Sequence, residues 1–75
     1  MWIKTEYGTL VNMDKVANIF IGWGGREQIE NLFAVDDTDD KTILCSCQNG
    51  ELADAKMEEI AQAIKNGENF LDLSK

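Results

Sequence analysis

Histidine and proline are both absent from the 75 residues, and cysteine occurs twice, as Cys45 and Cys47. Without histidine, the usual general base near neutral pH and the commonest metal ligand are missing. Serine–histidine and cysteine–histidine nucleophile pairs are excluded with it. Basic residues are few: 7 Lys+Arg stand against 14 Asp+Glu, for a net charge of −7. Phosphate neutralisation needs a surplus of Lys and Arg, so general nucleic-acid binding is excluded, and docking on anionic membranes is disfavoured. Long apolar runs are missing too. The longest, from Val16 to Trp23, is interrupted by Asn18 and Gly22 and is far too short to span a bilayer. The first eight residues contain Lys4 and Glu6 and lack the apolar stretch of a secretory signal. With two reduced thiols, these features point to a cytoplasmic protein without a membrane segment.

What is present supports one small domain over residues 1–75, with 44% hydrophobic residues to build a core. Glycine supplies the punctuation. Trp2–Thr5 and Leu10–Asn12 flank a tight turn at Gly8, which predicts a short hairpin. In Val16–Trp23 the residues Ala17, Ile19, Ile21 and Trp23 share one face, opposite Asn18, Phe20 and Gly22. Gly24-Gly25-Arg26-Glu27 reads as a hairpin connection into a return strand, Gln28–Val35. Asp36–Asp40 reads as a second connection, and Lys41–Gln48 as a third alternating strand. From Glu51 the period lengthens to that of a helix, with Ala53, Met57, Ile60, Ala61 and Ile64 as its apolar stripe. Asn49 fits the N-cap, and Asn66-Gly67 the stop.

The expected fold is therefore α+β: a four- to five-stranded antiparallel meander sheet with one C-terminal α-helix packed on one face. Strands fall within about residues 2–48, the helix within about 50–66, and an apolar tail within 68–75. The opening Trp2-Ile3-Lys4-Thr5 with Gly8, the segment Val11–Ile19, and the close from Ile60 to Leu73 with Asn66-Gly67-Glu68 resemble a group of small uncharacterised proteins of Gram-positive bacteria and their prophages. The resemblance implies antiparallel strands followed by one helix. It carries no activity and no functional residues.

No arrangement in the sequence points to catalysis, to a metal or to a cofactor. Cys45-x-Cys47 has no second pair of ligands to complete a zinc site, and reads as core filling. Asp36, Asp37, Asp39 and Asp40 fail the calcium-loop frame, because Lys41 falls at its sixth position, or at its fifth when the frame starts one residue later. Gly22–Arg26 leads towards a strand and not a helix, unlike a phosphate loop. The leading function is a non-enzymatic protein-interaction or accessory module, binding a protein partner or a second copy of itself. Its candidate contact residues are Phe20, Trp23, Leu32 and Leu44, with Phe20 expected on a sheet face away from the helix, beside Leu32 and Leu44. The alternative is an acidic mimic of nucleic acid that inhibits a DNA-binding protein. Its charged ridge would be Asp36–Asp40 with Glu51, Asp54, Glu58 and Glu59.

Overall fold

A computed structural model describes residues 1–23 and 29–74. The predicted connection Gly24-Gly25-Arg26-Glu27 lies outside the described residues. The elements run β1 (Trp2–Lys4), β2 (Leu10–Asn12), a single 3-10 turn (Met13–Lys15), β3 (Val16–Trp23), β4 (Glu30–Asp36), β5 (Lys41–Cys47), α1 (Gly50–Lys65) and β6 (Phe70–Asp72). The class is α+β, as the sequence predicts.

Two sheets replace the one expected. The larger is the antiparallel meander β3-β4-β5, and the smaller has the order β2-β1-β6. The helix is not the last element. The predicted apolar tail becomes β6, which runs parallel to β1 with Ile3 opposite Leu71. The Leu73 N–H then donates to the Lys4 carbonyl at 2.8 Å. An extended tail with apolar residues at Phe70, Leu71 and Leu73 satisfies its backbone groups best by pairing, and β1 offers the edge.

Local chemistry explains each boundary. The β1–β2 turn is organised by Thr5, whose hydroxyl accepts from the N–H groups of Tyr7 at 3.2 Å and Thr9 at 3.1 Å. Gly8 takes a φ of +85° there, in the region that glycine reaches without strain. At the helix start, the Asn49 side chain accepts from the Leu52 N–H at 2.9 Å. At its end, Gly67 N–H donates to the Ile64 carbonyl and Glu68 N–H to the Ala63 carbonyl, the paired bonds of a Schellman stop. The β4–β5 turn is held by Asp36, which accepts from Thr38 N–H at 2.8 Å, Thr38 hydroxyl at 2.7 Å and Asp40 N–H at 3.0 Å.

One core joins all of these elements. Ile3 and Leu73 enter it from the small sheet, Leu32, Ala34, Leu44, Cys45 and Cys47 from the large sheet, and Ala53 and Ile60 from the helix. The helix packs on β4 and β5. Its buried line is Ala53, Ile60 and Ala63, and Ile64, expected in the stripe, is 56% exposed. The helix is thus turned so that a small side chain, Ala63, meets the core, while Ala61 and Ile64 overlook β3. Ile60→Ala should lose about 2–5 kcal/mol in a denaturant melt. Ile64→Ala should change stability by about 0.5 kcal/mol or less. Equal losses at the two positions would contradict this orientation.

Candidate interaction surface

The two edges of the large sheet are treated differently. At β5, the β1–β2 turn lies against the outer edge. The Glu6 N–H donates to the Leu44 carbonyl at 2.9 Å, and the Glu6 carboxylate accepts from the Ser46 N–H at 2.9 Å. The Tyr7 hydroxyl meets the Ser46 hydroxyl beside them. A carboxylate and a peptide N–H together stand in for a missing strand.

Among the described residues, β3 has no such device and pairs with β4 alone. Its eight residues, Val16-Ala17-Asn18-Ile19-Phe20-Ile21-Gly22-Trp23, contain no charge and no proline. Natural sheets usually guard an open edge with Lys, Pro, a bulge or a covering loop. Here one irregularity, between Val16 and Asn18, breaks the register near the start. Asn18 to Trp23 then continue in regular pairing, opposite Val35 to Glu30.

Both faces beside this edge are apolar. On the core side, a groove of about 430 Å³ runs between β3 and α1. Val16, Ala17 and Ile19 form one wall and Met57, Ala61 and Ile64 the other, with the Asp14 carboxylate and the Met1 ammonium, 3.5 Å apart, also lining it. The groove follows from the helix position: α1 covers β4 and β5, which leaves the flank of β3 uncovered. On the far face, Phe20 stacks on Phe33 with centroids 5.2 Å apart and planes at 22°, and Ile43 is the next cross-strand neighbour. Lys41 Nζ lies 5.9 Å from the Phe20 ring centre. The stack is possible because Gly22 has no side chain. A Cβ there would lie 2.9 Å from Phe33 Cε2 and 3.3 Å from Phe20 Cε2.

Two of the four predicted contact residues are placed at the surface: Phe20 is 37% exposed and Trp23 72%. The other two are corrected. Leu32 and Leu44 are both completely buried in the core, so neither contributes a contact surface. Phe20 lies beside Phe33 and Ile43 instead. The cause is a β-bulge in β5: Leu32 opposes Cys45 and Phe33 opposes Ile43, leaving Leu44 as the extra residue. A bulge breaks the alternation, so Leu44 and Cys45 are buried in succession while Ile43 is exposed. The Ile19–Ala34 and Ile21–Leu32 pairings then put Leu32 and Ala34 on the helix face with Ile19 and Ile21. Only the pairing register identifies Ile43 and Phe33 as companions of Phe20, and alternation within single strands does not contain it.

The remaining candidate groups are placed as follows. Cys45 and Cys47 are free thiols in the core. Burial, reinforced by the adjacent Cys47, pushes the Cys45 thiol up to about 12, so it stays neutral and unreactive near neutral pH. The Thr38 hydroxyl and then the Asp40 N–H hold the Asp36 carboxyl below its ordinary value, because its charge is used within the turn. On the expected acidic ridge, Glu58 accepts from Gln62 at 3.2 Å and Glu59 pairs with Lys56 at 3.4 Å. Among the described residues, no group of three or more Cys, Asp or Glu side chains is placed to hold a metal ion. Nor is any helix long and apolar enough to cross a membrane.

Two outcomes follow. Gly22→Ala should force the Phe20–Phe33 stack apart and lose about 1–3 kcal/mol, with altered ring-current shifts on Ile43; an unchanged stack would contradict the close approach. For Cys45, the unfolded thiol ionises from its ordinary value of 9.0 and the folded one only near 12. Its contribution is therefore intact below pH 9 and is lost as the pH rises towards 12, because the unfolded state releases its proton first. A melt series should show wild type losing stability faster than Cys45→Ala across that window, and parallel curves would contradict it.

No family model, no curated protein and no solved structure matches the chain.

Proposed function

We propose that this protein is a non-enzymatic protein-interaction module whose contact is the open edge of β3, and that it binds by strand addition. The observation that carries this reading is the contrast between the two edges of one sheet. Glu6 closes β5, while among the described residues β3 pairs with β4 alone and presents the uncharged residues 16–22, with the backbone groups that point away from β4, along its other side. An extended segment laid along β3 would satisfy those groups. Its alternate side chains would enter the groove beneath α1 on one face and meet Phe20 on the other. Main-chain bonds supply affinity in this mode, and pockets for alternate side chains supply specificity.

The groove is lined mainly by apolar side chains, which suits the side chains of a bound extended segment. Among the described residues its lining carries two ionisable groups, the Asp14 carboxylate and the Met1 ammonium 3.5 Å from it, and the perturbed groups Cys45 and Asp36 do not line it. Trp23, at the end of β3, is suited to anchor a contact, as exposed tryptophans at interfaces often do.

The test uses a peptide with the side-chain alternation of β3, flanked by lysines for solubility. Intermolecular amide NOEs should connect it to alternate residues between Asn18 and Gly22. Asn18→Lys should abolish them while leaving the melting temperature unchanged. NOEs to the β2 or β6 edge, or none at saturating peptide, would overturn the reading.

A further inference from the structure

The same edge also selects an occupant. We propose that β3 pairs with β3 of a second copy of the chain, antiparallel about a two-fold axis passing beside Phe20, so that two three-stranded sheets become one continuous sheet. This inference rests on reading β3 as the contact edge, and four features of the molecule support it.

The first is charge. Each copy carries −7, so any self-contact must keep carboxylates apart. All eight residues of β3 are uncharged, and identical strands can therefore lie side by side where most of the surface would repel.

The second is parity. A two-fold axis normal to the sheet keeps each face on its own side. Paired residues must therefore share a face, and Phe20 opposite Phe20 of the second copy meets that condition. Ile19 then faces Ile21, and Asn18 faces Gly22. A shift of one residue would put groove-facing side chains opposite outward ones, which strand pairing does not allow. The chosen register also extends the Phe20–Phe33 stack into a row of four rings, two from each copy.

Closure is the third. A head-to-tail contact of β3 on β5 would propagate into a fibre, but Glu6 and Tyr7 occupy the β5 edge. A contact of β3 on β3 uses both open edges of the large sheets and leaves two capped edges outside, so assembly stops at two.

The fourth is space. With α1 over β4 and β5, the two helices of such a pair are separated by four strand spacings, or roughly 19 Å. Helices with their side chains are about 10–12 Å wide, so they pass without collision. The two grooves then merge into one apolar trough between them.

Sedimentation velocity on the full chain from low to high micromolar concentration should show a monomer of 8.4 kDa giving way to a dimer and nothing larger. Asn18→Lys, at an exposed position, should stay folded and shift the dissociation constant upward at least tenfold. The register is read by disulfide trapping in a Cys45→Ala, Cys47→Ala background. Phe20→Cys should cross-link with itself on mild oxidation, because directly opposed Cβ atoms lie about 4.5–5.5 Å apart. Ile19→Cys should cross-link only when mixed with Ile21→Cys. Should the cysteine-free background fail to fold, the Asn18→Lys result alone decides whether β3 is the contact. A chain that stays monomeric at every concentration but still binds the lysine-flanked peptide would overturn the second copy and leave strand addition standing. A dimer unaffected by Asn18→Lys would overturn both. Self-cross-linking of Ile19→Cys without that of Phe20→Cys would overturn the axis beside Phe20.

Discussion

The contact between Glu6 and β5 organises this molecule. The residue donates its backbone N–H to Leu44 and accepts the Ser46 N–H on its carboxylate, and both bonds are 2.9 Å. Through them the β1–β2 hairpin reaches from Met13, at the start of β3, across the large sheet to the far edge of β5. The hairpin brings Ile3 onto the core, and Ile3 in turn gives β6 a strand to pair with. A domain this small has little stability to spare. Tying the two sheets together at an edge, where each bond also replaces one lost from a missing strand, is an economical use of a single side chain.

Among the described residues, the same arrangement leaves β3 paired with β4 alone. The helix cannot serve both flanks of a three-stranded sheet, and it lies over β4 and β5 with Ala53, Ile60 and Ala63 inward. Its outer margin, Ala61 and Ile64, then faces β3 across a groove. An apolar strand with an open edge, a groove on one face and a stacked aromatic pair on the other is unfavourable in water as it stands. Its exposure is tolerable for the fold because the buried core is built from the other elements.

Elements governed by local chemistry were legible in the sequence. Asn49, the 3.6-residue period and Gly67 mark the helix to within a residue, and Gly8 marks the first turn. The meander was legible from its alternation and its polar connections. Three things were not. β6 depends on a parallel partner more than sixty residues earlier in the chain, a pairing that local pattern does not encode. The helix rotation depends on where the sheet presents space for Ala63. The face of Leu32 depends on the β3–β4 register, and that of Leu44 on the bulge in β5; together they put both leucines in the core and leave Phe20 with Phe33 and Ile43. The exposure of Phe20 was legible from a strand apolar on both faces, and that of Trp23 from its place at the strand end beside two glycines, properties that survive an error in register.

One edge of the large sheet is closed by Glu6, and among the described residues the other, β3, pairs with β4 alone. Residue-resolved amide hydrogen exchange on dilute protein tests this contrast most directly. Slow exchange is expected for Ser46, whose N–H is held by Glu6, and fast exchange for the amides between Asn18 and Gly22 that point away from β4. Uniform protection along β3 at the dilution limit, or a Ser46 amide that exchanges as freely as an exposed turn, would contradict it.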